Sequence, residues 1–241
     1  MNKLLYLFLL CAGSLLLSSC SEELVLANNA KSDYRIVLPI TATKSEVKAA
    51  SFLQRYLLKV GGAKLPIIRD RDSQLGPEIS IGLTNRLASV NTKYTVPEGD
   101  GFSVFSNNES IYFLGGSQKG VIYGVSSFLE NYLGIRLLTS EVEVFQKRKR
   151  ITIPEDLNWN VLPPFKFRST HYRHTWDPFF ADWHKLNHLP NGGHPDWGYW
   201  CHSFDQLVPP EEYYDSHPEY FAEVNGSRIA AQLCLTNPDV L

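Results

Sequence analysis

The first 158 residues of this chain contain no tryptophan and no histidine; all five tryptophans and all seven histidines fall between Trp159 and His217. One uniform domain does not segregate two such shape-specific side chains, so the chain changes character near that point. Cysteine is scarce as well: of four, only Cys201 and Cys234 lie outside the N-terminal leader, and no CxxC or zinc-finger spacing exists. That excludes a disulfide-dense scaffold and a zinc ribbon, and leaves open whether Cys201 and Cys234 pair. There is no excess of positive charge: Lys and Arg number 23 and Asp and Glu 25. Nothing here attracts nucleic acid or an anionic membrane surface in general. The one long apolar run, Leu4 to Leu17, falls short of the ~20 residues a membrane-spanning helix needs.

That run reads as an export signal. Lys3 supplies its positive start, and Leu17-Ser18-Ser19-Cys20 closes it with small residues running into a cysteine. This is the pattern of a bacterial lipoprotein, with cleavage before Cys20 and lipid on its thiol; a signal cut elsewhere or a short membrane anchor are the alternatives. Ser21-Glu22-Glu23 then resembles the acidic surface-export signal of some outer-membrane lipoproteins. The reading gives a signal peptide over 1–19, a tether over 20–31, and an outer-membrane location on the periplasmic or cell-surface face. Attachment rests on the lipid, because no polybasic segment flanks Cys20.

Residues 32–155 pattern as a compact α+β unit. Strands are expected at Tyr34–Pro39, Leu65–Ile68, Glu78–Leu83, Gly101–Ser106, Ser110–Leu114 and Ile135–Leu138, with an edge strand at Ile151–Ile153. Thr43-Lys44-Ser45-Glu46 is a capping box opening a helix with the stripe Val47, Ala50, Leu53, Leu57 and Val60, ended by Gly61-Gly62. A second helix, capped by Ser117, carries Val121, Val125, Phe128, Leu129 and Tyr132 at helical spacing and closes at Gly134. Strands grouped with two helices predict a two-layer α/β sandwich. Gly115-Gly116-Ser117-Gln118-Lys119-Gly120 lacks the spacing of a phosphate loop and reads as a tight strand-to-helix turn. Lys147 to Arg150 is a basic run without aromatic interleaving, read as a solvated hairpin.

Asp156 to Pro164 reads as a linker, polar and then Pro163-Pro164. Beyond it a strand is expected at Phe165–Arg168, a helix at Phe180–Leu189, a strand and loop at Cys201–Val208, a helix from Pro209, and a strand at Gln232–Leu235. Strand, loop and helix in repetition predict the first strands of an incomplete (β/α)8-type barrel over 164–241. The 78 residues from Pro164 onward compare with ~250 for a closed barrel, so the chain reads as the N-terminal part of a longer protein.

Gln118-Lys119-Gly120-Val121-Ile122-Tyr123-Gly124-Val125, continuing through Phe128-Leu129-Glu130 to Leu133-Gly134-Ile135-Arg136, resembles the accessory N-terminal domain of alpha-glucuronidases of glycoside hydrolase family 67 and the related second domain of beta-hexosaminidases. The resemblance covers 32–155 and implies a sandwich that buttresses a catalytic barrel and usually holds no catalytic residue. His202-Ser203-Phe204, His217-Pro218-Glu219-Tyr220-Phe221, Arg228 and Gln232 to Pro238 resemble the domain of unknown function 4838. Together the two imply a carbohydrate-active protein with a glycan partner.

Glycoside hydrolysis needs two carboxylates flanking the bond. In alpha-glucuronidases these come from later strands, which places them beyond Leu241 here; Glu211, Glu212 and Asp215 instead suit a helix N-terminus. The candidate substrate-binding residues are therefore positioning ones. His171, Tyr172 and Arg173 follow the first expected barrel strand, and Arg173 offers a planar fork for a uronic carboxylate or a surface salt bridge. Trp176 offers a stacking wall, as do Trp197 and Trp200, and Asp177 a sugar-hydroxyl contact. His202 falls in the second expected strand region and Asn237 just past the third, which would turn both toward one barrel face. Each aromatic singly reads as a half-buried core residue; the clustering carries the proposal. His184 and His188 share a helical face, yet Lys185 breaks any H-E-x-x-H motif, so no metal and no cofactor is expected. Two classes follow: the front of an exported glycoside hydrolase, or a non-catalytic surface glycan-binding lipoprotein.

Overall fold

A computed structural model describes residues 23–91, 93–116, 119–187, 199 and 203–240. The signal segment, Cys20, Ser117, His188, His194, Trp197, Trp200, Cys201 and His202 lie outside these residues. The chain divides into two compact units, one ending at Pro190 and one beginning at Asn191.

The first unit is a two-layer α/β sandwich. Its strands in chain order are β1 (Glu23–Asn28), β2 (Arg35–Leu38), β3 (Ile67–Arg69), β4 (Glu78–Ile81), β5 (Phe102–Asn107) and β6 (Ser110–Gly115). These are followed by β7 (Arg136–Leu137), β8 (Glu143–Val144), β9 (Arg150–Pro154) and β10 (Asn158–Val161). Six of them form a mixed sheet ordered β10-β5-β6-β4-β2-β3. β3, β2, β4 and β6 run parallel, while β5 and β10 pair antiparallel at one edge. Helices α1 (Lys44–Gly61) and α2 (Gly120–Tyr132) pack on each other and on one face of this sheet. Alternation places Phe102, Val104, Ile111 and Phe113 on the helix side. Phe105, Tyr112 and Leu114 form a smaller cluster on the other side, against Leu87 and Val90.

Local chemistry sets the helix ends. Thr43 and Glu46 make the reciprocal capping box, and Gly62 closes α1 in the left-handed conformation at φ 75°. Ala50, Leu53, Leu57 and Val60 are buried as the periodicity requires, joined by Phe52 and Tyr56, but Val47 is exposed. The glycines ahead of α2 permit close backbone approach: a Cβ on Gly120 would lie 2.2 Å from the Gly101 oxygen, and one on Gly116 2.0 Å from the Pro97 oxygen.

Several elements differ from their sequence reading. The stretch read as a tether contains β1, which pairs antiparallel with β9, from Glu23 opposite Pro154 to Asn28 opposite Arg150. The alternating Leu24, Leu26 and the following Ala27 are buried there. The stretch read as a linker contains β10, whose Trp159 packs against the core. Phe165–Arg168 is not a strand. The Arg168 guanidinium gathers the carbonyls of Phe165 at 2.6 Å, Lys166 at 3.4 Å and Lys185 at 2.6 Å, which curls the segment. The helix expected to reach Leu189 is α3 (Pro178–Trp183), with Lys185 already at φ 62°.

The second unit holds α4 (Phe204–Leu207), α5 (Pro210–Tyr213), β11 (Phe221–Val224) and β12 (Ser227–Leu233). A helical turn thus replaces the strand expected within 201–208. β11 and β12 form an antiparallel hairpin, not a parallel barrel strand, because Asn225 (φ 53°) and Gly226 (φ 80°) make the two-residue turn between them. No closed barrel exists among the described residues.

Candidate functional site

Two exposed aromatics of the first unit, Tyr172 and Trp176, sit at the start and end of a short 3-10 turn, Arg173–Trp176, immediately before α3. Thr175 anchors it: buried at 3 % exposure, its hydroxyl donates to the Tyr172 carbonyl at 2.6 Å and the Thr170 carbonyl at 3.2 Å. His174 turns partly inward, its Nδ1 2.9 Å from the Ser140 hydroxyl, with its ring beside those of Tyr172 and Phe180. With Thr175 held in, Tyr172 and Trp176 are left about half exposed, at 53 % and 52 %. His171 and Arg173 are exposed beside them, and Arg173 makes no ion pair among the described residues. The structure therefore gathers His171, Tyr172, Arg173 and Trp176 on one surface turn.

Asp177 belongs to the scaffold. It is the N-cap of α3, accepting the Phe180 N–H at 2.7 Å, with Pro178 at the first helical position. Asn237 lies in the second unit, where its amide donates to the Glu219 carbonyl at 3.1 Å and its side-chain oxygen accepts from Asp239 N–H at 3.0 Å. Both atoms hold a turn together there. His202 lies outside the described residues. His184 Nε2 bonds the Leu137 carbonyl at 2.8 Å, and among the described residues no group of three His, Cys, Asp or Glu side chains could hold a metal ion. Cys234 forms no disulfide among the described residues; the Thr236 hydroxyl, 3.4 Å away, and then Arg228 draw its thiol below the ordinary range.

Sequence reasoning missed a second group. Polar residues of α1, of α2 and of its approach clamp the segment after β10. Asp182, 6 % exposed, receives Lys48 at 2.5 Å and Lys119 at 3.2 Å. Tyr123 donates its hydroxyl to the Leu186 carbonyl at 2.9 Å, and burial pushes its phenol far above the ordinary tyrosine range, Asp100 adding to the rise and Arg168 opposing it. Glu130 accepts from the Trp183 indole and from Lys185, each at 2.9 Å. Asp100 accepts from Arg168 at 2.5 Å and from Asn187 at 3.0 Å. The signal was present as Lys119 just before α2 and Glu130 inside its otherwise apolar pattern. Beside the clamp lies a half-open cavity of about 410 Å³ between α2, β10 and Pro163-Pro164, walled by Phe102, Tyr123 and Trp159.

Among known families, the Domain of unknown function (DUF4838) matches residues 137–241, fewer than half of the chain, so the match starts within the first compact unit. No curated protein matches. Solved structures that are similar include a family GH115 4-O-methyl-alpha-glucuronidase, BtGH115A, with specificity for decorated arabinogalactans. Its identity is 12 % and its TM-score 0.41, over 60 % of this chain and 19 % of that one. The GH20 beta-N-acetylhexosaminidase of Streptomyces coelicolor A3(2) is similar at 14 % and 0.42, over 65 % and 30 %. CpGH84B is similar at 15 % and 0.42, over 77 % and 31 %. The present chain spans 19 % to 31 % of the length of these proteins, and likeness this distant decides neither fold nor activity.

Proposed function

We propose that this chain is the N-terminal part of an exported carbohydrate-active lipoprotein, a glycoside hydrolase related to alpha-glucuronidases that acts on a polysaccharide or oligosaccharide. The observation that carries the reading is the surface turn at 171–176. Buried Thr175 fixes a turn that leaves Tyr172 and Trp176 as exposed flat rings with a cation, Arg173, beside them. A sugar presents a face of C–H groups to such a ring and hydroxyls or a carboxylate to the flanking polar side chains. Glucuronidase and hexosaminidase names among the similar structures agree with a glycan ligand. Attachment at Cys20 would place the protein on the outer membrane, and no helix among the described residues is long and apolar enough to cross a membrane.

In both readings the turn binds ligand and does not cleave it: Asp177, the carboxylate nearest it in sequence, is engaged as a helix cap. The two readings share a ligand and differ in turnover.

The test is retardation of the mature chain in gels containing uronate-bearing polysaccharide, compared with Tyr172→Ala, Trp176→Ala and Arg173→Ala. Retardation lost or reduced severalfold in these variants supports the reading, and equal mobility of parent and variants overturns the site. Incorporation of radiolabelled palmitate by the parent but not by Cys20→Ala tests the anchor.

A further inference from the structure

We infer that the cavity between α2, β10 and Pro163-Pro164 is a binding site for a single neutral pyranose residue, separate from the aromatic turn; the inference rests on the carbohydrate reading above. Its volume, about 410 Å³, lies within the ~300–1,000 Å³ of small-molecule sites. Three residues of α2 that line it, Tyr123, Ser127 and Asn131, are spaced i, i+4 and i+8 and so share one helical face.

The wall is a held aromatic platform. Trp159 is half-buried, with its ring edge-on to Phe102 at 6.3 Å and tilted against Tyr132 at 5.7 Å. A ring fixed in this way loses little rotamer freedom when a ligand arrives. Its remaining face suits the C–H face of a sugar.

The polar groups specify the ligand further. Ser127 is 6 % exposed and its hydroxyl makes no hydrogen bond among the described residues, whereas the adjacent Ser126 hydroxyl bonds the Tyr123 carbonyl at 3.1 Å. A buried hydroxyl without a partner costs free energy that a ligand hydroxyl would recover. Asn131 is exposed at the cavity, and its amide likewise has no bond among the described residues. Of the basic residues on the lining, Arg168 and Lys185 are neutralised by Asp100 at 2.5 Å and Glu130 at 2.9 Å, and His184 is tied through Nε2 to the Leu137 carbonyl at 2.8 Å. A mostly apolar wall, two unpaired polar groups and cancelled charge select an uncharged, hydroxyl-bearing ring over a uronate or a phosphate.

The experiment is saturation-transfer NMR on the mature chain with methyl glucopyranoside, methyl galactopyranoside and N-acetylglucosamine, with glucuronate as the charged control, followed by soaking of crystals. All binding is read in the Tyr172→Ala/Trp176→Ala background, which removes the surface turn, and there at least one neutral pyranoside should bind more tightly than glucuronate. Asn131→Trp, which fills the mouth from an exposed position, should abolish binding, and Ser127→Ala should weaken it at least fivefold. Both variants are checked for an unchanged thermal transition, and Tyr172→Ala with Trp176→Ala should leave the signal in place. Binding that survives Asn131→Trp and Ser127→Ala, or that vanishes with Tyr172→Ala and Trp176→Ala, overturns the cavity site and leaves the surface turn standing. Absence of any pyranoside binding overturns it too, while polysaccharide retardation judges the turn separately.

Discussion

The Trp183 indole donates its N–H to the Glu130 carboxylate at 2.9 Å, and the ring itself is wholly buried, 5.1 Å from that of Tyr56. Glu130 lies on the second helix of the sandwich and Trp183 beyond the polar stretch that follows it. One bond therefore ties two segments of different sequence character into one folded unit.

Removing that side chain should be severe. Trp183→Ala is expected to cost ~3–5 kcal/mol, the range for deleting a buried large aromatic. Trp183→Phe keeps most of the apolar volume, leaves Glu130 with Lys185 alone, and should cost ~1–3 kcal/mol. Urea midpoints of the two variants against the parent check the order.

Fragment stability should follow the strand pairing. A fragment of residues 32–155 lacks β1, which covers β9, and β10, which covers β5, along with Asp182 and Trp183. Residues 23–187 should therefore unfold cooperatively at a clearly higher denaturant midpoint than 32–155. Equal midpoints would mean that the added pairing contributes nothing.

Acid should weaken the unit through Glu143. Burial would raise its pKa, but hydrogen bonds from Lys59 and Tyr56 and the charges of Lys59 and Arg55 outweigh that and hold it below the ordinary glutamate value. A carboxyl that ionises more readily when folded stabilises fully above its unfolded pKa, ~4.3, and loses that contribution as pH falls through the folded value. The stability difference between the parent and Glu143→Gln should therefore be largest near neutrality and shrink toward strong acid. Melting temperatures measured across that span would show it, and a constant difference would refute it.

The turn into α2 should tolerate no side chain. Gly120→Ala would push a methyl group to 2.2 Å from a backbone oxygen, whereas Gly124→Ala would meet only the Phe102 ring, at 3.3 Å. The first should lower the thermal midpoint far more than the second, which calorimetry of both variants can read.

Cys234 should react early. Its thiol is drawn down chiefly by the Thr236 hydroxyl, with Arg228 assisting. Iodoacetamide should modify Cys234 at neutral pH faster than in Thr236→Val, as peptide mapping by mass spectrometry would show. Equal rates would remove the role given to Thr236.

Where a sequence signal is local, the structure follows it. The capping box at Thr43–Glu46, the stop at Gly62 and the alternation of β5 and β6 are written in neighbouring residues. Where a side chain answers to a distant partner, the signal fails. β10 is short and carries polar residues, and β1 lies next to the expected signal segment; they become strands because β5 and β9 lie beside them. At Asp177 and Asn237 the residue type is as consistent with a ligand contact as with the local turn each one caps, where their oxygens accept from Phe180 and Asp239 N–H. One miss was legible: Asn225-Gly226 is the strongest short hairpin signal there is, and it was passed over in favour of a repeating strand and helix. The clamp on α2 was hidden because its charges are partnered about fifty or more residues away.

The pairing of β1 with β9 also fixes how far the molecule can stand from whatever holds its N-terminus. The ladder begins at Glu23, three residues after Cys20. At ~3.3–3.6 Å per fully extended residue, an acyl chain on that thiol and the first ladder bond can be separated by only about 10 Å. A protein so attached would have almost no leash: its sandwich would rest against the lipid surface in a narrow set of orientations, and glycans would have to come to it.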